Sequence, residues 1–213
     1  MRASARRKAK RTWALVLIGI GLLLLAAALV FLVRNVSAAQ RADLAAQAAL
    51  SELDTMLAEV PEPTAPAGEA EEQPEVQERA MRIFSLKETD YIGILSIPEL
   101  ELSLPVINDL SYPNLETAPC RYMGNLYEDS LIIGAHNYPH HFGRLSSLAP
   151  GDEVQFTDFY RETHHFTVDR IEQLADTAIE DMEAGDWDLT LFTCTRGGFA
   201  RIAVRCSRVE AEA

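Results

Sequence analysis

A run of 21 residues without a charged side chain, residues 13–33, is the strongest constraint on how this chain can fold. A helix of about 20 apolar residues crosses the hydrocarbon core of a bilayer. The twelve residues before the run contain six Arg or Lys and no acid, so we expect a cytoplasmic tail at residues 1–12 and the rest of the chain outside the cell. A cleaved signal peptide is the alternative because Ala38 and Ala39 are small, but the apolar run exceeds the usual ~7–15 residues.

The remaining sequence divides by composition into three further segments. Residues 34–59 are rich in Ala, Leu, Glu and Gln with apolar positions at helical spacing, which predicts a helical stalk. Residues 60–81 are rich in Pro and acids, so they cannot build a core and are predicted to be an extended linker. Residues 82–213 are long enough to bury a core and are predicted to form the folded domain. The net charge of −13 disfavours a surface that neutralises nucleic-acid phosphates.

Short apolar runs separated by turn residues fill the segment from residue 82 onwards. This texture is typical of an all-β barrel or sandwich. One short helix is predicted at residues 142–149. The predicted strands are residues 91–97, 100–107, 130–136, 151–158, 164–174, 187–194 and 201–209.

Histidine placement in the predicted domain bears on both catalysis and metal binding. His136 ends an apolar strand, a position at the rim of a sheet. His140 follows it at the i, i+4 spacing of zinc ligands on a helix, but Pro139 between them disfavours a helix. Because the chain has no Cys-x-x-Cys pair and no Glu beside these histidines, the sequence predicts no metal and no cofactor.

Cys194 closes the run TLFTC and stands between two threonines, which is not the setting of an inert core cysteine. A free thiol is only slightly ionised at neutral pH, and it becomes a useful nucleophile beside an imidazole or a cation. The six-residue connection TRGGFA suits a hairpin that returns Arg201 to Cys194, and His136 is a candidate for the imidazole. The residues alone leave four roles open for Cys194: a core residue, half of a disulfide, a metal ligand or a nucleophile.

Several segments of residues 90–209 occur together, and in the same order, in one known family. The stretch TLFTC resembles the cysteine signature of sortases, the membrane-anchored cysteine transpeptidases of Gram-positive bacteria. LIIGAHN, residues 131–137, resembles the strand that delivers their catalytic histidine, and RIAVR, residues 201–205, their closing strand, which begins with the catalytic arginine. The histidine loop is most similar to classes B and D, and the lack of an Asp-Pro-aromatic lid motif argues against the pilin-polymerising class. Further similar segments are IGILSIP (92–98), LPV (104–106) and FGRLSSLAPGDEV (142–154).

The resemblance implies a closed β-barrel of about eight strands with short helices, behind a transmembrane helix and stalk. It implies that Cys194 is the nucleophile, His136 the catalytic histidine and Arg201 the catalytic arginine. It further implies cleavage of an LPXTG-like sorting signal near the carboxyl terminus of an exported protein, through a thioester. The acyl group would pass to an amine of a peptidoglycan precursor or another cell-wall acceptor. Asn137 and Thr193 flank the site and are expected to bind substrate.

Two other functions and one disulfide are also compatible with these residues. A thiol hydrolase would form the same acyl-enzyme and use water, whereas a binding module on a stalk would form no covalent intermediate. Three cysteines cannot all pair, and Cys194 could be bridged to Cys120 or Cys206. We expect a Cys120–Cys206 disulfide instead, because that pair leaves Cys194 free to be the nucleophile. Arg205 is a second candidate for the catalytic arginine. The expected location is the cell membrane, with one span and an extracellular catalytic domain.

Overall fold

Two stretches of the chain, residues 2–59 and 80–209, are described by a computed structural model of the protein. Residues 60–79, which are most of the predicted linker, lie outside the described residues. The chain divides into two compact units, Met1–Gln40 and Arg41–Ala213.

The first unit consists of the amino-terminal part of a long helix, α1 (Arg2–Glu59). Within the described residues, α1 is the one helix that is long and apolar enough to cross a membrane. Its candidate span is Leu17–Leu57, whose most apolar window has a mean hydropathy of 2.6 and no buried residue. The length and composition of this helix fit a membrane-spanning segment.

Among the described residues, the second unit is built on a sheet of nine strands. Two short helices, α2 (Tyr112–Leu115) and α3 (Ile179–Met182), lie in its connections, and 3-10 helices span Pro98–Leu100, Leu126–Glu128 and Phe142–Ser147. The strands are β1 (Phe84–Leu86), β2 (Thr89–Ile97), β3 (Leu102–Ile107), β4 (Cys120–Met123), β5 (Leu131–Ala135), β6 (Glu153–Asp158), β7 (Thr163–Ala175), β8 (Leu189–Cys194) and β9 (Ala200–Arg208).

The sheet closes into a barrel of eight strands. Its order is β1-β2-β3-β4-β5-β8-β9-β7-β6, and a further pairing between β2 and β6 joins its ends, so that β1 alone lies outside the ring. The β3–β4 and β5–β8 pairs are parallel, and all the other neighbours are antiparallel. This arrangement confirms the predicted all-β barrel of about eight strands.

All seven predicted strands are confirmed, with each end within two residues of the observed one. The predicted helix at residues 142–149 is a 3-10 helix. Sequence reasoning missed β1 and β4 because three or four residues are too short for an alternating pattern to stand out.

Side chains from alternating positions fill the barrel, as the period of two in a strand requires. In β6, for example, Val154 and Phe156 are fully buried between more exposed neighbours. Other members of this core are Ile92, Leu95, Val106, Leu131, Ile133, Phe166, Val168, Leu189, Leu191 and Val204.

Residues 41–59 of α1, which belong to the predicted stalk (34–59), pack with the barrel in the second unit. Ala42, Ala46, Ala49 and Leu53 recur at helical spacing and are all buried. Ala46 belongs to the barrel core, whereas Ala49 and Leu53 belong to a second apolar cluster. The other buried members of that cluster are Leu86, Tyr91, Ile107, Ala118, Cys120 and Phe159.

Candidate active site

Cys194 and Arg201 face each other across an antiparallel pair of strands. Cys194 is the last residue of β8, and its register partner in β9 is Arg201. The connecting turn is closed by two hydrogen bonds, from the Thr195 amide to the Ala200 carbonyl and from the Gly198 amide to the Thr195 carbonyl, both 2.9 Å. Directly opposed side chains in such a pair start about 4.5–5.5 Å apart at their Cβ atoms. The predicted hairpin therefore returns Arg201 to the position opposite Cys194.

His136 is brought to the same rim by pairing between distant strands. It follows β5, which runs parallel to β8 with Ala135 opposite Thr193. The residue after Ala135 therefore comes alongside Cys194. The Thr193 hydroxyl donates a 2.8 Å hydrogen bond to the Ala135 carbonyl, which fastens the two strand ends together.

A cavity of about 380 Å³ on the outer side of the barrel wall has His136, Cys194 and Arg201 in its lining. Gly134 and Phe192, which are register partners in β5 and β8, also line it. A Cβ atom on Gly134 would lie 2.6 Å from the Phe192 ring, so the ring occupies the space that a side chain would fill. The remaining walls are mostly apolar and include Leu110, Tyr112, Leu115, Tyr122, Ile179 and Met182.

The ring of His136 lies between two tyrosines. It meets Tyr112 edge-on with a centroid distance of 5.6 Å and Tyr138 at 5.0 Å. Burial lowers the pKa of His136 below its ordinary value, and the carboxylate of Glu116 opposes that change. The resting imidazole is thus biased towards its neutral form.

Asn137 and Thr193, the two predicted substrate-binding residues, contact the backbone. The Asn137 side-chain amide donates to the Thr195 carbonyl at 3.3 Å. Thr193 is buried, and its hydroxyl is bonded to the Ala135 carbonyl. Neither is among the described residues that line the cavity. Their hydrogen bonds join the histidine loop to the cysteine strand, and their contact with substrate stays a prediction.

The expected disulfide between Cys120 and Cys206 is wrong, because all three cysteines are free. Cys206 belongs to the barrel core and Cys120 to the second apolar cluster. Burial raises the pKa of each of these two thiols to about 12, which makes them inert at neutral pH. Cys194 is the half-buried one of the three.

Three potential metal ligands, Asp158, Glu162 and His164, lie within 4.8 Å of one another near the β6–β7 turn, which the sequence did not suggest. Asp158 already accepts a hydrogen bond of 2.6 Å from the Tyr127 hydroxyl. The Arg208 guanidinium donates to His164 Nδ1 at 2.9 Å, so His164 Nε2 carries the proton shared with Asp158 at 3.0 Å. These contacts form a hydrogen-bond network between β6, β7 and β9.

The cavity walls are the part of the site that sequence reasoning missed. For α2 a signal exists: the Ser111 side chain caps it by accepting from the Asn114 amide at 3.2 Å, and Pro113 stands in its first turn. For α3 there is none, because Ala178 at its start offers no capping group.

Comparison with known proteins identifies the family. The Sortase domain model matches residues 95–209, which is more than half of the chain. Sortase C1 from Streptococcus agalactiae is 26% identical over 60% of this chain and 72% of its own, with a TM-score of 0.51. Sortase C1 from Streptococcus suis is 27% identical over 58% of this chain and 75% of its own, with a TM-score of 0.50.

Sortase A from Corynebacterium diphtheriae shares the fold, with 23% identity over 57% of this chain and 62% of its own and a TM-score of 0.50. No curated protein matches the chain. The likeness of the histidine loop to classes B and D stays a prediction. The chain, with its closed eight-stranded barrel, belongs to the sortase family.

Proposed function

We propose that this sortase is a membrane-tethered cysteine transpeptidase that uses Cys194, His136 and Arg201 as its catalytic residues. The observation that carries the proposal is the cavity that all three side chains line. Its substrates are LPXTG-like sorting-signal peptides of exported proteins and an amine of a peptidoglycan precursor or another cell-wall acceptor.

The acylation step begins when neutral His136 takes the proton of the Cys194 thiol, which gives the reactive thiolate and an imidazolium. The sulfur attacks the scissile carbonyl, and Arg201 donates hydrogen bonds to the oxygen that becomes negative. Collapse of this tetrahedral species breaks the C–N bond as His136 gives its proton to the leaving amine, which leaves a thioester on Cys194. One oxyanion donor of this kind is worth about 10²–10³ in rate.

Transfer to the acceptor reverses the proton movement. The acceptor amine attacks the thioester carbonyl, neutral His136 takes the proton that the nitrogen loses, and the Cys194 thiolate departs. Because the nucleophile, the proton carrier and the oxyanion donor are needed in both halves, one site serves the complete cycle. The mostly apolar walls of the cavity favour burial of the apolar side chains of a bound peptide.

The proposal is tested with the full chain in detergent micelles, a library of LPXTG-like peptides and a glycine-based amine acceptor. We expect a transpeptidation product, a thioester adduct detected by mass spectrometry on Cys194, and loss of both in Cys194→Ala and His136→Ala. Arg201→Ala should lower kcat/KM by about 10²–10³-fold, whereas Arg196→Ala, an exposed arginine of the same hairpin, should stay within twofold.

Two outcomes would replace the proposed function. If only the hydrolysed acid forms at saturating amine, the protein is a thiol hydrolase. If no peptide is cleaved and a methanethiosulfonate reagent never labels Cys194, the nucleophile assignment fails and a binding module remains.

We further propose a single-pass orientation with residues 1–12 in the cytoplasm and the barrel outside. The six bases of the tail and the apolar span of α1 support it. In intact cells a membrane-impermeant thiol reagent should then label Cys194, since Cys120 and Cys206 are buried. Labelling that appears only after lysis would reverse the orientation.

A further inference from the structure

Arg205 is a buried charge that the proposed chemistry does not use. It lies on β9 four residues after Arg201, and its side chain is 1% exposed. Residues four apart in a strand project from the same face, so Arg205 comes from the face that carries Arg201 into the cavity. Arginine is almost never buried so completely unless every donor is engaged.

The guanidinium of Arg205 binds partners on two sides. Its Nε donates to Glu172 Oε1 at 2.7 Å, and one terminal nitrogen donates to the Thr190 hydroxyl at 3.1 Å. The same nitrogen donates to the Met182 carbonyl at 3.0 Å, and the other terminal nitrogen donates to the Asp181 carbonyl. Two of its four partners are therefore backbone carbonyls of the last two residues of α3.

Helix α3 has few interactions of its own that would fix its position. It has four residues, its start has no side-chain cap, and Met182 is its buried residue. The last carbonyls of any helix lack partners within the helix, and here the planar fork of Arg205 supplies them. Because Ile179 and Met182 line the cavity, α3 is one of its walls.

We propose that Arg205 is a positioning residue that fixes the α3 wall of the cavity for the sorting peptide. The identity of the substrate rests on the proposed function, whereas the contacts between Arg205 and α3 do not depend on it. Arg205 acts on peptide binding rather than on the chemical step, because Cys194, His136 and Arg201 are held by β5, β8 and β9 and not by α3.

A second attachment of the α3 wall is weaker. The Tyr122 hydroxyl on β4 donates to Glu183 Oε1 at 2.7 Å, just after α3, and both residues are exposed. An exposed hydrogen bond competes with water and contributes little to order. The buried contacts of Arg205 are therefore the ones that we expect to fix α3.

The test is Arg205→Lys in the full chain in detergent micelles, because lysine keeps the charge beside Glu172 and loses the fork. We expect amide hydrogen exchange of residues 177–184 to rise at least tenfold and the peptide KM to rise at least fivefold. The kcat and the rate of Cys194 alkylation by iodoacetamide should stay within twofold, because an interaction equal in ground and transition states affects KM alone.

Arg208→Lys is the matched control. Arg208 lies on the same strand and donates to Asp129 Oδ1 at 2.7 Å and to the Leu126 carbonyl, away from the cavity lining. Its replacement should lower stability without changing exchange at residues 177–184 or KM. If the two variants change the exchange of residues 177–184 and the peptide KM equally, Arg205 contributes only to overall stability and the proposal is overturned.

Each remaining outcome is decisive. Unchanged exchange at residues 177–184 in Arg205→Lys overturns the proposal, whether or not any peptide is turned over. If the wild-type chain cleaves no peptide, the proposed function is wrong. The amide hydrogen exchange of residues 177–184 in Arg205→Lys then shows by itself whether Arg205 fixes the α3 wall. Should Arg205→Lys not fold, Thr190→Val removes one anchor of the guanidinium and must raise the same exchange at least threefold.

Discussion

Replacing Leu53 by alanine tests whether residues 41–59 are part of the folded domain. Leu53 lies on α1 and is 1% exposed, packed in the second apolar cluster with residues of the barrel strands. Leu44 lies on the same helix and is 66% exposed, so Leu44→Ala is the matched control for helix propensity and composition.

The expected cost follows from the burial of the side chain. A fully buried Leu→Ala change loses the transfer free energy of the removed atoms and leaves a cavity, together about 3 kcal/mol. For a domain of this size each kcal/mol lowers the melting temperature by about 2–4 °C, so the expected fall is about 6–12 °C. The change at Leu44 should stay within about 0.5 kcal/mol.

The assay is thermal unfolding of the full chain in detergent micelles, followed by near-ultraviolet circular dichroism, which reports tertiary packing rather than helix content. A melting temperature that falls equally in both variants, or in neither, would refute the packing of residues 41–59 on the barrel. In that case residues 41–59 would be a stalk after all.

Three more predictions concern the site and its surroundings. Gly134→Ala should push the Phe192 ring about 1 Å into the cavity, because carbon contacts need about 3.5–4.0 Å where 2.6 Å is present; stability should fall by about 1 kcal/mol and peptide KM should rise. Glu116→Gln removes the charge that raises the pKa of His136, so the acidic limb of the pH profile of kcat/KM should move to lower pH. The maximum value of kcat/KM should fall, because a smaller fraction of the enzyme then carries the His136 imidazolium together with the Cys194 thiolate. Burial lowers the pKa of His141 from 6.5 to about 4, so on acidification the unfolded chain binds this proton before the folded chain does. The free energy of unfolding should therefore decrease by about 3 kcal/mol as the pH falls from 6.5 to 4. In urea titrations at several pH values, His141→Leu should show a smaller decrease over the same range.

Local patterns predicted the strands of the barrel well. Alternation and turn residues are properties of neighbours in the chain, and they marked all seven long strands to within two residues. They also marked the hairpin that opposes Cys194 and Arg201, because its short connection leaves little choice of register. The short β1 and β4 and the uncapped α3 carry too little local signal.

Long-range contacts were beyond these patterns. The predicted Cys120–Cys206 disulfide is wrong because the number of cysteines does not show which apolar cluster each side chain joins, and these two join different clusters. In the sequence, Arg205 is recognisable only as a second arginine close to Arg201. Its burial against α3 depends on contacts with a segment more than 20 residues away, which local patterns do not contain. The packing of residues 41–59 on the barrel has the same origin, since helical spacing marks an apolar face but not its partner.

The sequence by itself determined the elements: one apolar helix of membrane-spanning length, a set of alternating strands and a cysteine returned to an arginine by a short turn. These follow from periodicity and turn chemistry, which act between residues close in the chain. Only the tertiary structure decided which strands are neighbours, and with that the meeting of His136 with Cys194, the free state of all three cysteines and the walls of the cavity. The reason is that closing the barrel selects pairings across long stretches of chain by burial of the whole core, a quantity that no single segment contains.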